Sequence, residues 1–261
     1  MRGSLTGVRG SLTVIGALVR RAANEILRVP GAAIPGVLAP TIFMLGISAT
    51  FSKAASLPGF TADDFRTFVV PVGLLQGAGF TGAATGVNLA RDIEQGWFDR
   101  LLLAPASRPT LLAGIVASAG LRALLPASFL LLVAFALGVK VPSVATFVLT
   151  AVLVVGLACA MACWGVIIAL RFRTQQAAPL MQIVSFIAVL FTPAYAPVAL
   201  LQGWLRTIAG VNPVSLVLDG VRQGFVGELG WSTTWPALTA VAGLLVVLGS
   251  LAARGLRRYG A

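Results

Sequence analysis

Long apolar stretches alternate along this chain with short segments that hold most of its arginines. A helix that crosses a bilayer needs about 20 predominantly apolar residues, and six stretches approach or exceed that length. We therefore predict an all-α integral membrane protein with six spans, at residues 34–51, 68–89, 111–137, 144–170, 178–192 and 235–251. The fifth stretch is short, which indicates a helix broken by Pro193 and Pro197.

Composition agrees with this pattern, since 58% of the 261 residues are hydrophobic and only 10% are charged. Soluble domains carry roughly 25% charged residues, so a soluble enzyme is excluded. Five arginines fall in the first 30 residues, ahead of the first long apolar run. This order does not fit a cleaved signal peptide, and we expect one transmembrane domain over residues 1–261.

The formal net charge is +11, and 17 of the 19 basic residues are arginine. These residues separate the apolar stretches and form no continuous patch, so we expect no nucleic-acid partner. Thirteen of them lie in the segments on the N-terminal side of the predicted spans, and five lie on the opposite side. The positive-inside rule then places both termini in the cytoplasm.

The segment before the first span predicts a helix over residues 14–29. Ile15, Leu18 and Ile26 fall on one side of this helix, and Arg20 and Arg21 on the other. Such an amphipathic helix is typical of one lying in the headgroup layer, in contact with membrane lipids. The alternative is an extra turn of the first span.

A mixed-charge segment over residues 91–105 interrupts a chain that otherwise avoids charge. Its acidic and basic residues surround Gly96, Trp97 and Phe98, followed by Leu101. Charged and bulky apolar side chains together favour a short amphipathic helix that docks on another protein. A solvated turn is the alternative.

The stretch 193–234 is too apolar for a simple exposed loop. Val214, Val217 and Val221 follow helical spacing, and one turn separates Asp219 from Arg222. We expect short re-entrant helices here, on the outer side of the membrane and before the last span.

The chain lacks the residues of several kinds of active site. It has no His, and neither of its two lysines completes a GxxxxGK[ST] nucleotide-binding loop. No carboxylate lies in the middle of a span, which disfavours an ion-coupled carrier or channel.

Cys159 and Cys163 are interpreted as two small residues on one helix face, so no metal or disulfide is expected. For Arg122, which lies inside the third span, we expect a side chain that reaches the inner interface rather than a substrate contact.

Two blocks of sequence resemble the ABC-2 type transporter permeases, and most closely those of the daunorubicin-resistance type. The first block is Asp92–Leu101, followed by Ala104–Arg108 and Leu111–Gly114. The second runs from Phe191–Pro193 through Gly203–Arg206 and Asn212–Ser215 to Asp219–Arg222. With six spans in matching order, the resemblance covers nearly the whole chain.

The resemblance implies the permease half of an exporter of amphipathic drugs or lipids in the bacterial plasma membrane. Two permeases, either two copies or two related chains, would each rest on an ATP-binding cassette ATPase. ATP and Mg²⁺ would bind those partner subunits, and this chain would hold no cofactor and be no enzyme. Eight residues would form the coupling helix that contacts the ATPase: Asp92, Glu94, Gly96, Trp97, Phe98, Asp99, Arg100 and Leu101. Trp97, Phe98 and Leu101 would fill its groove, while the charged residues would set orientation.

A substrate path would lie between the two permeases, lined by the second and fifth spans. Its polar and aromatic candidates are Gln76, Phe80, Asn88, Gln182, Phe186 and Tyr195. Buried amides equally serve as contacts between helices. Two other functions remain open: export of lipid-linked polysaccharide by the same fold, and a membrane anchor or assembly subunit without a path of its own.

Overall fold

The computed structural model describes residues 13, 14, 16, 17, 19–21, 24, 30–53, 64–103, 106–140 and 142–259. All regular secondary structure in these ranges is helical. From Pro30 onward the described chain forms nine α-helices: α1 Pro30–Thr50, α2 Phe65–Glu94, α3 Trp97–Leu102, α4 Arg108–Ala136, α5 Val144–Phe172, α6 Ala178–Leu190, α7 Gly203–Val211, α8 Pro213–Val226 and α9 Trp231–Arg258. Short 3₁₀ helices at Gln175–Ala177 and Val198–Leu200 flank α6.

Each predicted span coincides with a helix, but the helices differ in their capacity to cross a membrane. Within the described residues, α2, α4, α5 and α9 are the four helices long and apolar enough to do so. The apolar segments Gly36–Thr50 and Gln175–Leu190 are shorter. The structure therefore supports an all-helical integral membrane protein with four candidate spans, while the first and fifth spans stay predictions. At 13 residues, α6 is as short as its sequence indicates and ends ahead of Pro193.

Helix α2 lies at the centre of the molecule, and its glycines explain how. Gly73 and Gly77 face α4 and α1, whereas Gly82 and Gly86 face α5. Gly82 follows Gly73 by nine positions, and Gly86 follows Gly77 by the same number. At 100° per residue, nine positions are two and a half turns, so the two pairs lie on opposite faces of the helix. Small residues at both faces let two sets of helices approach the α2 backbone.

The closest approach joins α2 to α5. A Cβ atom placed on Gly165 would lie 2.9 Å from the Cα of Gly86, so the two backbones touch without intervening side chains. These two helices also share the most extensive interface among the described elements. The α2–α5 pair is thus the rigid centre around which the other helices pack.

The stretch before α9 contains short helices, as predicted, held by polar contacts. The Asn212 side chain accepts from the Val214 N–H at 3.0 Å and donates to the carbonyls of Ala188 and Phe191, at 2.8 and 3.0 Å. It therefore caps α8 and joins that helix to the end of α6. The position of these helices relative to a membrane stays a prediction.

Arg222 has partners other than the one expected for it. Its guanidinium donates to the carbonyls of Pro193 and Ala194, at 2.8 and 3.0 Å, and lies 3.8 Å from the centre of the Phe68 ring. Asp219, one turn earlier, interacts with Arg222 electrostatically, while the hydrogen bonds of the guanidinium go to the non-helical segment after α6. A buried arginine here satisfies backbone carbonyls that no helix pairs.

The N-terminal amphipathic helix is described only in part. Val14, Val19, Arg20, Arg21 and Asn24 are helical, and the two arginines and the asparagine are exposed. Ile15, Leu18 and Ile26, on its predicted apolar side, lie outside the described residues. The helix is confirmed at the described positions, and its location in the headgroup layer stays a prediction.

Candidate functional site

The candidate coupling segment begins where α2 stops, at a glycine turn. Gly96 has φ +69° and ψ 10°, a left-handed conformation that residues with a Cβ rarely adopt. The chain reverses there and α3 starts at Trp97. The predicted helix over 91–105 is thus divided: residues 91–94 are the last turn of α2, and α3 covers only Trp97–Leu102. Ala104 and Pro105 lie outside the described residues.

The two adjacent aromatic residues of α3 differ in burial. The Phe98 side chain is 1% exposed and packs edge to face on Tyr259, with ring centres 5.3 Å apart. Trp97 is 53% exposed, and Leu103 at the end of α3 is exposed as well. Leu101 is half-buried against the same apolar cluster as Phe98.

This burial corrects part of the predicted contact with an ATPase. Phe98 is enclosed by residues of its own chain and has no surface to place in a partner's groove, and Leu101 has little. Trp97 and Arg100 are exposed and remain available. We call these two residues and the exposed Leu103, which was not predicted, the outer face of α3.

The acidic residues of the segment are engaged within the chain. Arg21 donates to both carboxylate oxygens of Asp92 at 3.0 Å, and its guanidinium lies 5.3 Å from the centre of the Trp97 ring. Glu94 accepts from the Thr174 hydroxyl at 2.7 Å and from the Gln175 backbone and side chain at 3.1 and 2.7 Å. The end of α2 is thereby fixed to the N-terminal segment and to the turn after α5.

The third carboxylate ties α3 to the C-terminal end of the described chain. The Tyr259 hydroxyl donates to Asp99 at 3.1 Å, and Arg173 lies 4.6 Å above the Tyr259 ring. Burial raises the pKa of Tyr259, and the bond to Asp99 acts in the same direction because it stabilises the protonated phenol. Arg108, at the start of α4, donates to the carbonyls of Leu256 and Arg257 at 2.9 and 2.7 Å, which caps α9.

Four of these partners were not found by sequence reasoning: Arg21 as a partner of Asp92, and Thr174, Gln175 and Tyr259. They lie 71 to 160 residues from the carboxylates that they contact. Thr174 carries a local signal, because its side chain also caps the 3₁₀ helix that follows. Nothing in the local sequence indicates the Tyr259–Asp99 pair.

The structure brings together part of the predicted substrate path. The Gln76 amide donates to the Tyr195 hydroxyl at 3.3 Å, and Phe80 stacks on Phe186 with ring centres 6.4 Å apart. Gln182 lies on α6 one turn before Phe186. Gln76, Phe80, Phe186 and Tyr195 thus contact one another between α2 and α6 or the segment after it, and Gln182 shares α6 with Phe186.

Asn88 lies apart from the other candidates for the substrate path. It lines a pocket between α2 and α4 together with Arg122, whose guanidinium donates to the Thr85 hydroxyl at 2.9 Å. Arg122 is therefore directed toward α2, and its expected position near the inner interface stays a prediction. Its location is about 21 Å along α4 from Arg108, from the helical rise of about 1.5 Å per residue.

A comparison with protein families settles which kind of protein carries this arrangement. The sequence model of the ABC-2 type transporter family matches residues 13–226, most of the chain. The chain belongs to the ABC-2 type transporter family. Association with ATP-binding cassette ATPase subunits is implied by that membership. The matched range includes α3 and its polar neighbours at the end of α2, but not the α9 residues and Tyr259 that pack against Phe98.

Individual relatives of this ABC-2 chain are distant in sequence but agree in the kind of protein they are named as. It is 25% identical over 213 residues to the putative transport permease ycf38 of Cyanophora paradoxa, covering 78% of this chain and 71% of that protein. It is 24% identical over 230 residues to the daunorubicin resistance ABC transporter permease protein DrrB1 of Streptomyces coeruleorubidus, covering 86% and 79%. The probable multidrug ABC transporter permease YbhR of Escherichia coli is 28% identical over 192 residues, 69% of this chain and 50% of YbhR. All three are named as permeases.

Proposed function

We propose that this chain is the membrane-spanning subunit of a bacterial plasma-membrane exporter for amphipathic drugs or lipids. ATP hydrolysis, with its Mg²⁺, takes place on separate ATPase subunits, and two permease chains form one complex. The family supports the ATPase partner, and the names of DrrB1 and YbhR support a drug-type cargo.

The observation that carries the proposal is the two-sided structure of α3. Its inner side, at Phe98, is fixed in the apolar cluster of the chain, and its outer face leaves a large aromatic residue in solvent. A six-residue helix held on one side and exposed on the other transmits an external push to α2 through the Gly96 turn. Exposed Trp and Arg residues are typical anchors of protein interfaces.

Cargo contact is proposed for the surface where α2 meets α6. The Gln76–Tyr195 bond and the Phe80–Phe186 stack give this surface polar and aromatic groups, which suit an amphipathic molecule. A lipid-linked glycan would use the same fold, and a cargo panel separates the two.

The test is reconstitution of the chain with a candidate ATPase in lipid nanodiscs, with ATP hydrolysis recorded across a panel of drugs and lipids. We expect a stoichiometric complex whose hydrolysis responds to cargo. Trp97→Ala should weaken the complex by roughly tenfold or more, the loss typical of an interface anchor. Trp231→Ala is the matched control, because Trp231 is exposed at the start of α9.

Two results would contradict the proposal. One is that no ATPase associates with the chain, which would favour an anchor subunit. The other is that Trp97→Ala and Trp231→Ala have equal effects on complex formation and on cargo-stimulated hydrolysis.

A further inference from the structure

A pocket lies between the N-terminal helical segment, α2 and α4, close to the inner side of α3. It is a half-open cavity of about 70 Å³, and Phe98, Leu101 and Ile115 form its apolar wall. Arg21, Arg91 and Arg122 reach it from three different segments. Asp92 is the one carboxylate among the described lining residues, so the charge of that lining is positive.

The polar groups of the pocket match a phosphate. Arginine binds phosphate oxygens through paired N–H groups, and its planar guanidinium suits that geometry better than an ammonium group. Each guanidinium is held at the lining by a protein partner: Arg21 by Asp92 at 3.0 Å, Arg91 by Gln175 at 3.3 Å and Arg122 by Thr85 at 2.9 Å. Asn88 and Ser118 add an amide and a hydroxyl to the same lining.

The surface beside the pocket is apolar. Ile115, Ser118 and Arg122 fall on one stripe of α4, and helical spacing continues that stripe to Leu125 and Phe129. Both of these side chains are exposed, at 40% and 37%. A cationic pocket adjoining an exposed apolar stripe matches a molecule with an anionic head and a hydrocarbon tail rather than a free ion.

We propose that this pocket binds the phosphate headgroup of an anionic phospholipid, with an acyl chain along Leu125 and Phe129. Basic pockets between membrane helices are known to bind lipid headgroups. The lipid would join the N-terminal segment to α2 and α4 next to the turn that carries α3. This proposal concerns a bound lipid and does not depend on the cargo or on the ATPase.

The test uses the full chain, purified in a neutral detergent, and three probes. These are short-chain phosphatidylglycerol, short-chain phosphatidylcholine with the same acyl chains, and inorganic phosphate. Binding is measured by native mass spectrometry and by the midpoint of thermal unfolding. We expect phosphatidylglycerol to bind at least about tenfold more tightly than phosphatidylcholine, because phosphatidylcholine adds to the same phosphate a choline cation that the positive lining repels.

Arg122→Gln should reduce phosphatidylglycerol binding by about tenfold. Arg91→Gln, at an exposed position of the same pocket, gives a second variant if the first does not fold. Arg254→Gln is the matched control, since it removes the same charge from an exposed position on α9 outside the pocket.

Each outcome decides the proposal. Selective binding of phosphatidylglycerol that falls in Arg122→Gln or Arg91→Gln and persists in Arg254→Gln supports it. Equal binding of the two lipids, or an equal loss in Arg254→Gln, overturns it in favour of diffuse attraction to a basic protein. Inorganic phosphate that binds as tightly as phosphatidylglycerol also overturns it, because the pocket would then be a site for a free anion.

Discussion

Replacing Phe98 by Ala tests whether α3 is attached to the membrane domain by its inner side. Phe98 is 1% exposed and shares an apolar cluster with Leu112, Leu256 and Tyr259. Phe→Ala substitutions in packed cores cost about 3–5 kcal/mol. Since α3 is a short helix at the edge of the molecule, the cavity can partly collapse, and we expect the lower end, about 3 kcal/mol.

That loss is large enough to measure. For a protein of this size each kcal/mol changes the unfolding midpoint by about 2–4 °C, so Phe98→Ala should lower it by about 6–12 °C. The assay is thermal unfolding in detergent or nanodiscs, followed by intrinsic tryptophan fluorescence. Trp97→Ala is the adjacent control: its side chain is half in solvent and makes one cation–π contact, with Arg21, so we expect a change under about 1 kcal/mol.

The pair of variants gives a clear refutation. If Phe98→Ala unfolds at the same temperature as the wild-type protein while Trp97→Ala is strongly destabilised, α3 is rotated relative to the structure described above. The outer face would then be the inner one, and the predicted contact of Phe98 with an ATPase would be restored.

Two further substitutions test the packing of the membrane helices. Gly86→Ala should lower the unfolding midpoint and cost about 1–3 kcal/mol, because the added methyl group would overlap the backbone of Gly165. Gly46→Ala is the control: its methyl group would meet open space, so the substitution should be neutral or slightly stabilising. Equal effects of the two substitutions in thermal unfolding would contradict the α2–α5 contact. Asn212→Ala removes the α8 cap and leaves two carbonyls of the α6 end without their donor, so we expect a loss of about 1–3 kcal/mol. Asn212→Asp keeps the cap but places a carboxylate oxygen against the two carbonyls, so chemical unfolding should show it at least as destabilised as Asn212→Ala.

The helices themselves were predictable because the bilayer imposes a simple pattern. A run of about 20 apolar residues has few stable structures in hydrocarbon other than a helix, so the six stretches could be drawn from composition alone. One local breaker acted as expected, since α6 ends before Pro193, whereas Gly96, predicted inside a single helix over 91–105, forms the turn before α3. These features depend on neighbouring residues only.

The faces of the helices were not predictable in the same way. Trp97 and Phe98 are adjacent and equally apolar, and the sequence offers no reason to place one outside and the other inside. Phe98 is the buried one because of Tyr259, more than 160 residues away. The Tyr259 ring covers Phe98, and its hydroxyl binds Asp99. Asn88 shows the same limit, because its contribution to a basic pocket depends on arginines from other segments.

The contacts around α3 bear on the proposed transmission between an ATPase and the membrane helices. An isolated helix of six residues is not stable in water, so its shape must come from what holds it. On α3 itself, Phe98 packs in the apolar cluster and Asp99 accepts from the hydroxyl of Tyr259, the residue after α9. Asp92 and Glu94 lie on the last turn of α2, directly before the Gly96 turn, and fix that end to the N-terminal segment and to the turn after α5. Under the proposed function, a displacement of α3 would therefore act on a helix end that is joined to several parts of the chain, while the outer face of α3 would contact the partner.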